Sequence, residues 1–201
     1  NYADEVCHDF VDHCVAAGTG TVGVFSSSSP ASTAVLLETM LAQGIRGVAG
    51  LTLMDQRCPE ALRVDLEPAE RAMTELADRF HRADEGRIEL AVTPRFAISC
   101  SRKMMEMAGR IARDRGLVVQ THVAENLHEG SETLTLYPWA SDYLDVYDKV
   151  GLLGPKTILA HAIHLTPSEW DRVADRRATV APSARASRSG RSPAGAGGGY
   201  L

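Results

Sequence analysis

Two hydrophobic rhythms take turns along the first 180 residues. Dense apolar runs, rich in β-branched side chains, occupy residues 19–25, 46–54, 88–96, 117–122 and 157–161. Short runs of this kind bounded by polar turns predict buried strands. Between them the apolar positions recur every three to four residues. Val6, Phe10 and Cys14 repeat ahead of Gly18, and Ala34, Leu37 and Leu41 ahead of Gly44, each predicting a helix with a glycine stop. Pro68 opens a third helix through Ala72, Met73, Leu76 and Phe80, with Gly86 as its stop. Ser101 caps a fourth, through Met104, Met105, Ala108, Ile111 and Ala112, ended by Gly116. Thr166-Pro167-Ser168-Glu169 has the form of a capping box with proline at the first helical position. The Met104, Met105, Met107 group reads as core packing.

Strands alternating with helices imply parallel βαβ units and an α/β fold. Strand centres lie about 27 to 42 residues apart, against roughly 31 per unit in a (β/α)8 barrel of ~250 residues. Doubly wound sheets have similar spacing, but no G-x-G-x-x-G or G-x-x-x-x-G-K-[ST] follows any strand. That lowers the nucleotide-fold alternative. The length leaves room for five or six units, an incomplete TIM-type barrel. The pattern stops at residue 181. Residues 181–201 hold five Ala, five Gly, four Ser, two Pro and three Arg with no acid. Such a segment cannot build a core. The expected division is a barrel segment over 1–180 and a low-complexity, disordered tail over 181–201.

Composition narrows the partners. No apolar run approaches the ~18–20 residues of a membrane span, and no signal peptide opens the chain. The 21 basic and 26 acidic residues, net −5, include no basic stripe, which argues against nucleic acid. Four cysteines without paired C-x-x-C spacing read as reduced thiols in a cytoplasmic protein.

Three predicted strands end in polar groups with catalytic potential. The first runs into Pro94-Arg95-Phe96, the second into Thr121-His122-Val123-Ala124-Glu125-Asn126, the third into Ala160-His161-Ala162-Ile163-His164. In a parallel barrel all such ends share one face, where active sites are built. Imidazoles at two strand ends suit zinc, and Glu125, three residues past His122, could move protons beside the ion without binding it. The competing reading is of ordinary hydrogen-bonded histidines, and on pattern alone the two stand level. Arg95 reads either as a salt-bridged loop residue or, beside Pro94 and Phe96, as a planar donor fork for a ligand. His8, His13, His81 and His128 lie on polar helical stretches and read as solvated. Alternation turns His164 away from His161. Ser26–Ser29 reads as a loop, with the barrel mouth as the alternative.

Four segments together resemble the guanine deaminases, zinc enzymes of the amidohydrolase superfamily. They are Val92-Thr93-Pro94-Arg95-Phe96, Gln120-Thr121-His122-Val123-Ala124-Glu125-Asn126, Tyr143-Leu144-Asp145-Val146-Tyr147-Asp148 and Leu159-Ala160-His161-Ala162-Ile163-His164-Leu165. H-x-x-E-N and A-H indicate only the superfamily; T-P-R-F and L-D-V-Y-D narrow the likeness. Ala124 stands where a serine is common.

The resemblance implies a barrel that hydrolyses guanine to xanthine and ammonia, with this chain spanning about the second to sixth strands. It implies His122 and His161 as zinc ligands, Glu125 as proton shuttle, and Arg95 with Phe96 as the purine-binding pair. It implies guanine and water as substrates, no nucleic acid or membrane partner, and a homodimer in the full-length protein. The family's first-strand H-x-H and eighth-strand aspartate, the remaining ligands, are expected outside this chain, so the chain alone is expected to be inactive. The abrupt change after Val180 suggests a shifted reading frame or a misassembled gene end. Two rivals stand beside this reading: another superfamily hydrolase such as a cytosine or modified-purine deaminase, and a non-catalytic remnant. The zinc cytidine deaminases fit poorly, since H-x-E with P-C-x-x-C is absent.

Overall fold

The computed structural model describes residues 2–182. Helix α1 (Tyr2–Ala16) leads into β1 (Thr21–Phe25), α2 (Pro30–Ala42), β2 (Arg46–Gly50) and a two-residue strand β3 (Thr52–Leu53). Then follow α3 (Leu66–Phe80), a short α4 (Ala83–Gly86), β4 (Ile88–Pro94), α5 (Arg102–Arg115) and β5 (Val118–Val123). The chain continues through α6 (Glu129–Leu136), α7 (Tyr143–Lys149), β6 (Thr157–His161), α8 (Pro167–Arg176) and β7 (Thr179–Ala181). The tail expected over 181–201 lies, from residue 183 onward, outside the described residues.

All strand pairs are parallel, in the order β1-β2-β4-β5-β6-β7, with β3 pairing β4. Sequential order without reversal is what a barrel requires. Curvature separates this sheet from a flat, doubly wound one. Gln120 on β5 donates through Nε2 to the Val24 carbonyl on β1 at 3.0 Å, although β2 and β4 lie between them in the sheet. Only a strongly curled sheet brings those strands together. The fold is α/β, as the alternation predicts, and the curl makes it an incomplete (β/α)8 barrel rather than a doubly wound sheet.

Helices α2, α3 and α5 pack on the sheet through Leu37, Met40, Met73, Phe80, Met104, Met105 and Ala108 against Ile88, Leu90 and Val92. The methionines are buried in this core. Gly50, at the end of β2, is required by close approach: a Cβ there would sit 2.1 Å from the Ala91 carbonyl oxygen. Ser101 caps α5, and Thr166 with Glu169 forms the full capping box of α8.

Several expectations shift. The run over 46–54 is two strands, and the sheet gains β7 beyond the five runs. Helix α1 buries Val11, flanked by half-buried Cys7 and Cys14, against α2, while Val6 and Phe10 are 46% and 37% exposed. Helix α3 ends at Phe80 rather than Gly86, because Arg82, Asp84 and Glu85 take left-handed backbone angles. His81 is not solvated: it is half-buried, and burial lowers its pKa. All four cysteines are free. Among the described residues no helix is long and apolar enough to cross a membrane.

Candidate active site

The parallel register sets the C-terminal ends of β1, β4, β5 and β6 on one rim. A cavity of about 360 Å³ opens there, lined by Phe25, Ser26, Thr52, Met54, Pro59, Leu62, Arg95 and His122. A larger groove, about 460 Å³, lies between α7 and α8. It is a polar surface trough whose arginines are already paired, Arg176 with Asp148 at 3.0 Å and Arg172 with Asp142 at 2.7 Å. It holds no imidazole to bind a metal or to activate its one hydroxyl, Ser168, so the smaller cavity is the candidate site.

His122 and His161 come from adjacent strands, β5 and β6, and their rings stack with centroids 5.4 Å apart. Phe25 also packs on His122, ring centroids 4.2 Å apart and tilted. His122 Nδ1 lies 2.7 Å from the Arg95 carbonyl oxygen. A carbonyl can only accept, so Nδ1 carries the proton and Nε2 keeps its lone pair. Burial lowers the His122 pKa, reinforced by His161 and opposed by the Arg95 carbonyl, which favours a neutral ring. Glu125 Oε1 stands 3.6 Å from His161 Nε2, with its side chain 43% exposed. His161 Nδ1 is buried without a hydrogen-bond partner.

Backbone strain gathers at these positions. Ala124, between His122 and Glu125, has φ +50°, and His161 and Ala162 have φ +70° and +54°. Left-handed non-glycine residues cost of order 1–3 kcal/mol and concentrate at functional sites. The turn is held by Glu129, a buried carboxylate that accepts from the Glu125 N–H at 3.2 Å and from the Asn126 N–H and Nδ2 at 3.1 Å each.

Arg95 is exposed at the cavity mouth, its guanidinium carbon 5.2 Å above the Phe96 ring centroid. Phe96 does not line the cavity; it supports the arginine from beneath. Their loop is clamped from two sides. The Asp55 carboxylate accepts from Ser101 N and Oγ at 2.6 Å, and Gln56 Nε2 donates to the Ile98 and Cys100 carbonyls at 3.2 Å.

The donor set fits a zinc ion: one imidazole has its Nδ1 proton committed to a carbonyl, and its neighbour has a partnerless buried nitrogen. Among the described residues no group of three or more His, Cys, Asp or Glu forms a complete cage.

The sequence profile of the amidohydrolase family matches residues 1–195. This chain belongs to the amidohydrolase family. It is similar to guanine deaminase from Escherichia coli, 35% identical over 181 residues, which are 90% of this chain and 41% of that protein. The solved Escherichia coli enzyme superposes with a TM-score of 0.87, covering 90% of this chain and 42% of the other. Guanine deaminase from C. acetobutylicum, with guanine bound in its active site, superposes at 0.85 with 28% identity, over 89% and 43%. An atrazine chlorohydrolase from Arthrobacter aurescens, complexed with zinc and atraton, shares the fold at 0.80 with 18% identity, over 90% and 42%. The chain thus spans about two fifths of the length of the relatives it matches.

Within this amidohydrolase, the five residues singled out from the sequence all reach the same rim. Glu129, Asp55 and Gln56 escape sequence reading. In the sequence each is an ordinary polar residue of a loop or helix start, and only the fold reveals what it holds.

Proposed function

We propose that this amidohydrolase carries the central part of a zinc-dependent guanine deaminase, hydrolysing guanine to xanthine and ammonia. One observation carries the reading. A single acceptor, the Arg95 carbonyl, receives both the backbone N–H of His122 at 3.0 Å and its Nδ1–H at 2.7 Å. The arginine that would grip a purine and the imidazole that would hold the ion therefore share one joint. The guanine deaminases to which the chain is similar support the same assignment.

His122 through Nε2, together with His161, would hold the ion, with the remaining ligands outside this chain. Zinc, when bound, supplies positive charge that acidifies the attacking water and polarises the substrate. Glu125 takes a proton from water as it attacks C2 and passes it to ring N3. It then moves the hydroxyl proton to the departing amine, which leaves as ammonia while C2 becomes the carbonyl of xanthine. Arg95 offers its planar fork to the purine edge, and Phe96 keeps that fork flat. The cavity wall of Phe25, Met54, Pro59 and Leu62 excludes water from the ring.

The test is guanine hydrolysis by the whole protein, followed by ultraviolet absorbance and ammonia release. Glu125→Gln should lower kcat by at least about two orders of magnitude, since general acid–base catalysis contributes ~10²–10⁴-fold. Its zinc content should match wild type. Near-normal turnover in that variant, or faster hydrolysis of cytosine than of guanine, would overturn the assignment.

A further inference from the structure

Tyr147, on α7, lies outside the strand ends, yet it is completely buried beneath them. Its hydroxyl accepts the Ala97 N–H at 2.9 Å and donates to the His122 carbonyl at 2.8 Å. Thr121 Oγ1, at 3.3 Å, takes the other lone pair. A phenol has one proton and two lone pairs, so its capacity is fully used. Burial pushes its pKa well above the ordinary value, so it stays a donor at any working pH.

The bonds close into a ring. Ala97 follows Arg95 and Phe96 directly, and His122 is tied back to Arg95 through the shared carbonyl. From Ala97 the path runs to Tyr147, on to His122, across to Arg95 and along the backbone to Ala97 again. Removing the phenol oxygen opens this ring at two links and leaves a buried N–H and a buried carbonyl without their partner. Thr121 Oγ1 also lies 3.5 Å from both the Arg95 and the His122 carbonyls, but its single proton serves one acceptor at a time and the Tyr147 oxygen, at 3.3 Å, is the nearest.

We propose that Tyr147 is a positioning residue, setting the arginine-bearing loop after β4 against the imidazole of His122 from behind the site. The proposal rests on the guanine deaminase reading for what Arg95 and His122 do, and on the geometry alone for how they are held. It deepens that reading by assigning the coupling between purine grip and metal grip to one hydroxyl.

The experiment compares wild type, Tyr147→Phe and Val173→Ala by NMR and zinc titration. Val173 is a buried residue of α8 that makes none of the bonds of this ring, and its truncation controls for general destabilisation. In Tyr147→Phe the Ala97 amide should exchange at least ~10-fold faster. The neutral His122 ring should lose its single Nδ1–H tautomer. Zinc should bind ~10–100-fold more weakly, the usual effect of losing a partner that orients a ligand. Val173→Ala should change neither the tautomer nor the Ala97 exchange relative to neighbouring amides. Wild-type exchange and tautomer in Tyr147→Phe overturn the positioning role, whatever the protein does with guanine. If Tyr147→Phe fails to fold, the wild type decides: an Ala97 amide as labile as an exposed loop, or a His122 protonated at Nε2, overturns it. The two NMR readouts need neither metal nor substrate. Absence of guanine turnover would therefore sink the functional reading while leaving this one decided.

Discussion

At the scale of single residues, Arg95 shows how position and chemistry divide the work. Its exposed guanidinium rests over Phe96, while its backbone carbonyl orients His122. Substitution to lysine leaves the carbonyl and the charge but removes the planar fork. Losing a charge-assisted hydrogen bond costs roughly 1.5–3 kcal/mol, or about 10–100-fold in affinity. Arg95→Lys should therefore raise KM for guanine by at least about tenfold, with kcat and zinc content little changed. Steady-state kinetics on the whole protein check this, and loss of zinc would show that the two functions are not separable. Arg95, His122, Glu125 and His161 were legible as candidates because each sits in a short contiguous motif at a strand end. Glu129 and Tyr147 were not legible as site residues. Their bonds go to backbone groups, which no pattern of side-chain types records.

At the scale of elements, two helices show how local chemistry is set by what packs outside it. Helix α7 begins with Asp142 accepting from Asp145 N–H, and Asp145 in turn accepts from Ser141 N–H at 2.8 Å and Lys149 Nζ at 2.7 Å. Burial pushes the Asp145 pKa up, but these donors outweigh it and the net shift is downward. A carboxyl with a depressed folded pKa stabilises the protein above its unfolded pKa of about 3.9 and loses that contribution as pH falls through the folded value. Asp145→Asn should thus be less stable than wild type at pH 6, and the gap should close below about pH 4. Urea midpoints measured between pH 2.5 and 6.5, roughly bracketing those pKa values, provide the check. Helix α5 makes the opposite case for a glycine. A Cβ on Gly109 would lie 2.4 Å from the Val150 carbonyl oxygen, a backbone atom in the turn after α7. Alanine gains ~1 kcal/mol in a helix interior, while overpacking costs ~1–3 kcal/mol. The clash should win, so Gly109→Ala should lower the thermal midpoint by a few degrees. A raised midpoint would show that the turn yields. The periodicity of α5 was readable beforehand and that of α7 was not; the partner surface of neither was.

At the scale of the whole molecule, the site is assembled from strands that pair in sequence around a curled sheet. His122 and His161 are neighbours because β5 and β6 are neighbours, and in the proposed function they would offer two protein ligands where catalytic zinc usually takes three. Zinc on this chain alone should therefore be weak and substoichiometric after dialysis against a mild chelator. Tight equimolar metal by elemental analysis would contradict that. The alternation of β-branched runs with helical periodicities determined the α/β class, the parallel strands and the rim on which strand-end residues gather. Those are consequences of local pattern and chain direction, so one sequence suffices to read them. The tertiary structure alone decided that the sheet curls, since the bond from Gln120 to Val24 joins residues 96 positions apart. It likewise decided that α1 turns Val11 inward, that α3 stops at Phe80, and that Tyr147 spans the site from behind. Each depends on which surfaces meet, and contacts between distant segments leave no period in the chain to be read.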